Sequence, residues 1–149
     1  MAAISNISNG EALSSVRTKL NSVITEINLL DPTDWIDYSA TSTIVGWSSF
    51  TAGYKTIRYK VIGKIVFVEY AIDGTSNSTS TSFTLPFNAV NISRIIGFSY
   101  CVNNGIIVGG YYFMTQNSNI VNGSTGLSAG SWNAAGTKTF TGQLFYEIA

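Results

Sequence analysis

Residues 55–72 read KTIRYKVIGKIVFVEYAI, two runs of alternating character flanking Gly63-Lys64. Glycine at the first central position of a two-residue loop suits a type II′ hairpin turn. The stretch therefore predicts an antiparallel pair in which Ile62 faces Ile65, Tyr59 faces Val68 and Arg58 faces Glu69. This register sorts the side chains by face, as a buried sheet requires. Ile57, Tyr59, Val61, Val66, Val68 and Tyr70 fall on one side. Arg58, Lys60, Ile62, Ile65, Phe67 and Glu69 fall on the other, with opposite charges paired across the strands. The second face still carries Ile65 and Phe67, which predicts cover by a second sheet or a neighbouring subunit.

The same pattern continues away from the hairpin. Phe83 and Leu85 alternate with Ser82 and Thr84 before Pro86. The apolar runs Ile95 to Val102 and Ile106 to Met114 are joined through Asn103-Asn104-Gly105, a strong hairpin signal. In the last stretch Phe140, Leu144, Tyr146 and Ile148 share one face. So apolar a strand is expected inside a sheet, because an exposed hydrophobic edge invites aggregation. About seven or eight such strands in roughly 115 residues predict an antiparallel β-sandwich with jelly-roll character. Two segments fall outside the pattern. Residues 73–80, DGTSNSTS, read as a polar loop. Residues 115–138 are dense in Gly, Ser and Asn and are expected to hold one or two short strands; a structureless loop of that length is unusual. Trp132, with Asn133 beside it, lies there. It reads either as a plug of the core, where Trp is usually found, or as an exposed anchor for a sugar ring or protein partner.

Ahead of Asp31-Pro32 the grammar changes. Leu13, Val16, Leu20, Val23, Ile27 and Leu30 are spaced 3, 4, 3, 4 and 3 apart, the a/d seam of a helix. Ile24 widens the seam on one side. Ser8 and Glu11 have capping-box spacing, and Pro32 disfavours helix at Asp31. The outer face is mostly Ser, Thr and Asn, so a lone helix of about 20 residues would be marginal in water. Its seam is covered either by the chain's own β domain or by identical helices in a short coiled coil. In the second case the mixture of β-branched and Leu residues at both a and d leaves trimers open. The expected organisation is an N-terminal segment over residues 1–10, a self-associating helix over 11–31 and a β domain over 32–149.

Composition narrows the chemistry. Of 149 residues, 8 are Lys or Arg and 8 are Asp or Glu, and charged residues make up 11%. Eight dispersed cations do not supply the positive field that nucleic-acid binding needs. The chain has no histidine, which excludes Ser-His-Asp and Cys-His catalysis and His-ligated zinc. Its single cysteine, Cys101, cannot form an internal disulfide and reads as a buried spacer. Past residue 40 the carboxylates are Glu69, Asp73 and Glu147, and nothing marks two of them as the acid pair of a glycosidase. Asp31, Asp34 and Asp37 lack the spacing of a calcium loop. The sequons at Asn6, Asn77, Asn91 and Asn122 read as products of a Ser- and Asn-rich composition. No run approaches the length of a membrane span, and the first residues lack the regions of a signal peptide. The expectation is a non-enzyme with no cofactor, no metal site, no nucleic-acid partner and no membrane insertion.

Two segments carry a family resemblance. Gly10 to Asn21, GEALSSVRTKLN, resembles the short GE-x-x-x-x-VRTKLN helix of tail-fibre and other appendage proteins of bacteriophages. Tyr59 to Tyr70, with Gly74-Thr75-Ser76-Asn77 and Phe83-Thr84-Leu85-Pro86-Phe87, is similar to the β head of phage fibre and receptor-binding proteins. Together they cover under half of the chain. The resemblance implies a homotrimer assembled in the host cytoplasm and displayed on the virion. Its helical stem would attach to other virion proteins through the N-terminal segment, and its β head would bind host surface glycan or protein. The chain has no extended repeat shaft, so its length matches a short head fibre, capsid decoration or receptor-binding knob. The alternative is a purely structural head-fibre, decoration or tail-assembly protein with no host ligand.

Overall fold

A computed structural model describes residues 12–29, 34–90, 94–126 and 130–148. The chain divides into two compact units, Met1–Asp34 and Trp35–Ala149. In the first, α1 spans Leu13–Leu29. The Ala12 carbonyl accepts the first-turn N–H groups of Ser15 and Val16. Along the polar face Thr18, Ser22 and Thr25 return their hydroxyls to the carbonyls four residues back, at 2.9, 3.1 and 2.9 Å. Such back-bonding weakens a helix slightly, consistent with a segment that depends on its seam for stability. The Ser8–Glu11 capping box, Leu30, the Asp31-Pro32 boundary and the side chain of Ile27 lie outside the described residues, as do residues 1–10.

The second unit is mainly β. Its strands are β1 Ile36–Asp37, β2 Ile44–Val45, β3 Trp47–Ile62, β4 Ile65–Ser76, β5 Ser82–Thr84, β6 Arg94–Asn103, β7 Ile106–Thr115, β8 Ile120–Thr125 and β9 Thr137–Glu147. All pairings between them are antiparallel, in the single sheet order β1-β3-β4-β9-β6-β7-β8-β5-β2. The order has a physical consequence. β2 closes one end and β3 lies next to the other, yet only Gly46 separates them along the chain. One run of backbone therefore serves both ends, and the sheet curls back towards itself. Gly46 makes the passage with φ of +112°, and a Cβ there would sit 2.5 Å from the Ser80 carbonyl oxygen. Only glycine fits such a position without strain.

The β3–β4 hairpin has the register its sequence predicts, with Ile62↔Ile65, Tyr59↔Val68 and Arg58↔Glu69. Gly63 takes φ of +60° and Lys64 does not take a positive φ, the signature of a II′ turn. β6 and β7 join through Asn104-Gly105, and β9 lies inside the sheet between β4 and β6. The inward residues form one core containing Ile57, Val66, Val68, Tyr70, Ile72, Phe83, Leu85, Met114, Val121 and Phe140. Tyr70 sits at its centre, with the rings of Phe140 and Phe83 at 4.9 and 5.0 Å. Its hydroxyl pairs with Ser99 Oγ at 2.5 Å, while burial pushes its pKa well up. Cys101 is buried, its thiol pushed up to about 12 by desolvation.

One expectation is corrected: residues 73–76 continue β4 rather than starting a loop, because Gly74 and Thr75 pair with Lys138 and Thr137 of β9. β3 begins at Trp47, ahead of the Lys55–Ile72 hairpin stretch, with register shifts that interrupt the alternation between Trp47 and Lys55. The 115–138 stretch contains a short strand as expected, β8, which joins β7 to β5.

Candidate functional site

On the outward face of the head, the registers place Lys60 of β3, Phe67 of β4 and Phe145 of β9 in one row. The next row is Arg58, Glu69 and Gln143. Trp35, immediately before β1, closes one side, its ring 5.1 Å from the Arg58 guanidinium carbon. Trp35, Lys60, Phe67, Gln143 and Phe145 line a groove of about 610 Å³ together with Ile62 and Tyr112, a size typical of small-ligand sites. The Phe67 and Phe145 rings lie 6.2 Å apart and form an apolar floor. Arg58 is committed to Glu69, with contacts of 2.6 and 2.9 Å to one carboxylate oxygen. Lys60 is 8% exposed and, among the described residues, has neither an ion pair nor a hydrogen bond. Tyr112 is also buried, its pKa raised by desolvation, and its hydroxyl has no hydrogen-bond partner among the described residues.

The predicted binding residues lie elsewhere. Trp132 is 2% exposed; its indole N–H donates to the Gly123 carbonyl at 3.0 Å and its ring meets Phe140 edge-on. It plugs the core, and its faces are not open to a sugar. This corrects the exposed-anchor alternative. Asn133 is exposed, but its ordered contacts run through its backbone: the N–H donates to Asn103 Oδ1 and the carbonyl accepts from Ser76 Oγ.

What Trp132 does face is a charge. Lys138 is fully buried, with its ammonium 5.1 Å from the Trp132 ring and 5.2 Å from the Trp47 ring. Its three donors reach the carbonyls of Ser78, Gly46 and Ser80 at 2.8, 3.1 and 3.3 Å. These acceptors belong to the passage between β2 and β3 and to the 78–80 turn, so the ammonium ties the two ends of the curl together. Burial lowers its pKa from 10.5 to about 8. The signal was present in the sequence, since Lys138 has the parity of Phe140, Leu144 and Tyr146 and so points inward.

Three of the described carboxylates have structural partners. Asp73 accepts from Thr51 and Thr139, Glu69 from Arg58, and Asp37 from Ser39, whose bonds lower its pKa. In α1, Leu13, Leu20 and Ile24 of the predicted seam are exposed, and Val16 and Val23 are half-buried. No known protein family, curated protein or solved structure matches the chain.

Proposed function

We propose that the chain is a subunit of a phage virion appendage. In this reading it is a homotrimer, anchored to the particle by its N-terminal segment, with the β head turned outward to bind a host surface glycan or protein. The observation that carries the reading is the apolar seam of α1, exposed at Leu13, Leu20 and Ile24 and half-buried at Val16 and Val23. Leu13 is 87% exposed and Leu20 52% exposed in the single chain. A helix of 17 residues with this polar face gains too little from its own backbone to persist uncovered. Seams from sister chains cover it as a short coiled coil, and the resemblance of residues 10–21 to phage appendage helices favours three of them. The curled sheet with its single core supplies the knob, its two halves acting as the layers of a sandwich-like head. A low-charge surface rich in hydroxyl and amide groups suits carbohydrate, and several weak sites on one knob gain by avidity.

A purely structural role is favoured by a separate observation. Ile96, Phe98, Tyr100 and Ile107 stand exposed on the outward side of β6 and β7, a patch suited to packing on another virion protein. Antibody labelling of intact particles tests the location, with label expected on the particle surface; particles that carry none would refute it. Adsorption of the purified protein to host cells, in competition with the virus, separates display from a structural role.

A further inference from the structure

A second groove lies further along the outward face, and the backbone of β3 is bent to build it. Phe50 pairs with Gly74 and Lys55 with Ile72, so Thr51, Ala52, Gly53 and Tyr54 stand opposite Asp73 alone. Gly53 makes this bulge with φ of +80°. Bulges re-aim side chains and are over-represented beside functional sites. This one brings Thr51 to Asp73 and sets Tyr54 at the rim. Thr51 Oγ1 donates to Asp73 Oδ1 at 2.7 Å, and Thr139 Oγ1 of β9 donates to Oδ2 at 2.9 Å. The carboxylate is thereby fixed through both oxygens, yet each oxygen can still accept another donor.

The groove holds about 530 Å³. Ala71, Thr141 and Tyr100 form one row across β4, β9 and β6, with Asp73 and Thr139 in the next. The small side chain of Ala71 leaves the depression, and Tyr54 and Tyr100 are its banks, 57% and 50% exposed. Their strands, β3 and β6, are three strand spacings apart, roughly 14 Å. Among the described residues that line the groove, Asp73 alone is charged. Charges nearby along β3 and β4 are engaged elsewhere: Glu69 with Arg58, and Lys55 over the Phe50 ring. Open aromatic faces, a fixed acceptor and a row of hydroxyls match a ligand that is apolar on its ring faces and hydroxylated at its edges.

We propose that this groove binds a neutral oligosaccharide, with adjacent hydroxyls of one sugar ring donating to Asp73 and flanking rings lying against Tyr54 and Tyr100. The assignment rests on the reading of the head as an attachment module, and names the ligand class that module takes. Having given its proton to Asp73, the Thr139 hydroxyl offers lone pairs only, whereas the Thr141 hydroxyl can donate or accept. Ligand hydroxyls therefore donate at Asp73 and find either kind of partner one row away. Bonds from hydroxyls to a carboxylate are charge-assisted and so stronger than neutral ones. The same carboxylate repels an acidic sugar.

The test is an NMR titration of the full-length protein with maltose, lactose, cellobiose, glucosamine and glucuronic acid, repeated on Asp73→Asn and Tyr54→Ala. Saturable shifts centred on Ala71, Thr139 and Thr141 are expected with at least one of the disaccharides, and none with glucuronic acid. The best disaccharide is expected to bind at least about tenfold more weakly to Asp73→Asn, a factor that corresponds to one lost charge-assisted bond. Tyr54→Ala removes an exposed ring and should weaken binding about threefold or more, the scale of one aromatic contact. Its thermal midpoint should match that of the wild type, which separates lost binding from lost folding should Asp73→Asn prove unstable. The absence of saturable shifts with all three disaccharides overturns the proposal, as does unchanged binding in Tyr54→Ala or in a folded Asp73→Asn. Glucosamine binding more tightly than every disaccharide would make Asp73 the counter-ion of an ammonium and overturn the neutral assignment, and glucuronic acid binding as tightly as a disaccharide would overturn it too. Adsorption of the protein to host cells with no shift in this groove would refute the groove and leave the attachment reading standing; saturable shifts in a protein that is missing from particles would do the reverse.

Discussion

Replacing Lys138 by Met tests how the curled sheet is held. Met preserves most of the stem between Trp47 and Trp132 but removes the ammonium and its three donors. The acceptors do not suffer equally. The Gly46 carbonyl keeps the Asn77 N–H at 3.2 Å, but the Ser76 hydroxyl gives its one proton to the Asn133 carbonyl rather than to Ser78. The Ser78 and Ser80 carbonyls lose their bonds, and neither residue is buried. Two lost hydrogen bonds to acceptors within reach of water cost about 1–3 kcal/mol together, and two cation–π contacts add about 1 kcal/mol each. Relief of the buried charge offsets part of this. A net loss of about 2 kcal/mol at pH 7 follows, a drop in Tm of roughly 5–10 °C for a unit of this size.

The pH dependence is the sharper signature. The folded pKa of Lys138, about 8, lies below its ordinary 10.5. Above about pH 8 the unfolded chain therefore binds more protons than the folded one, and wild-type stability rises with pH. The contribution is complete above the unfolded value and is lost as pH falls through the folded value. Its ceiling is about 3 kcal/mol. Cys101 pulls stability down above about pH 9, and Tyr70 and Tyr146 above about pH 10, because their folded pKa values are raised, so the window to read is about pH 8 to 9. Denaturant unfolding of both proteins, followed by tryptophan fluorescence at one protomer concentration, should show wild type climbing through that window while Lys138→Met stays flat. Parallel curves would refute the buried-charge account. A Lys138→Met protein more stable than wild type at pH 7 would show that the ammonium does not hold the curl.

Other substitutions separate the parts. Leu20→Asp places a carboxylate in the seam of α1 and should abolish self-association, read by light scattering, while leaving the β circular dichroism of the head intact. Trp132→Ala empties a core site and should cost about 3–5 kcal/mol by denaturant unfolding, whereas Asn133→Ala, an exposed side chain, should stay within about 0.5 kcal/mol. Glu69→Gln breaks a half-exposed ion pair and should cost under about 1 kcal/mol, diminishing with salt.

What could be read in advance follows from how local the determinants are. The β3–β4 register was legible because strict alternation and a turn glycine sit within 18 residues. The place of β9 was legible because Phe140, Leu144 and Tyr146 admit only a buried strand. The position of β8 within 115–138 was not, since Asn122, Gly123 and Ser124 carry no strand signal and owe their conformation to β5 and β7 on either side. Closure of the curl depends on Ile44 pairing with Phe83, a contact between distant residues that no local pattern encodes. Lys138 announced itself only by parity. Lys60 was placed on the correct face by the hairpin register alone.

Sedimentation equilibrium of the purified full-length protein at micromolar concentration tests the central claim most directly. The proposed trimer predicts a single species of three times the 16.0 kDa chain mass, shifting to one chain mass in Leu20→Asp. A wild-type protein that sediments as a stable 16.0 kDa monomer would contradict it.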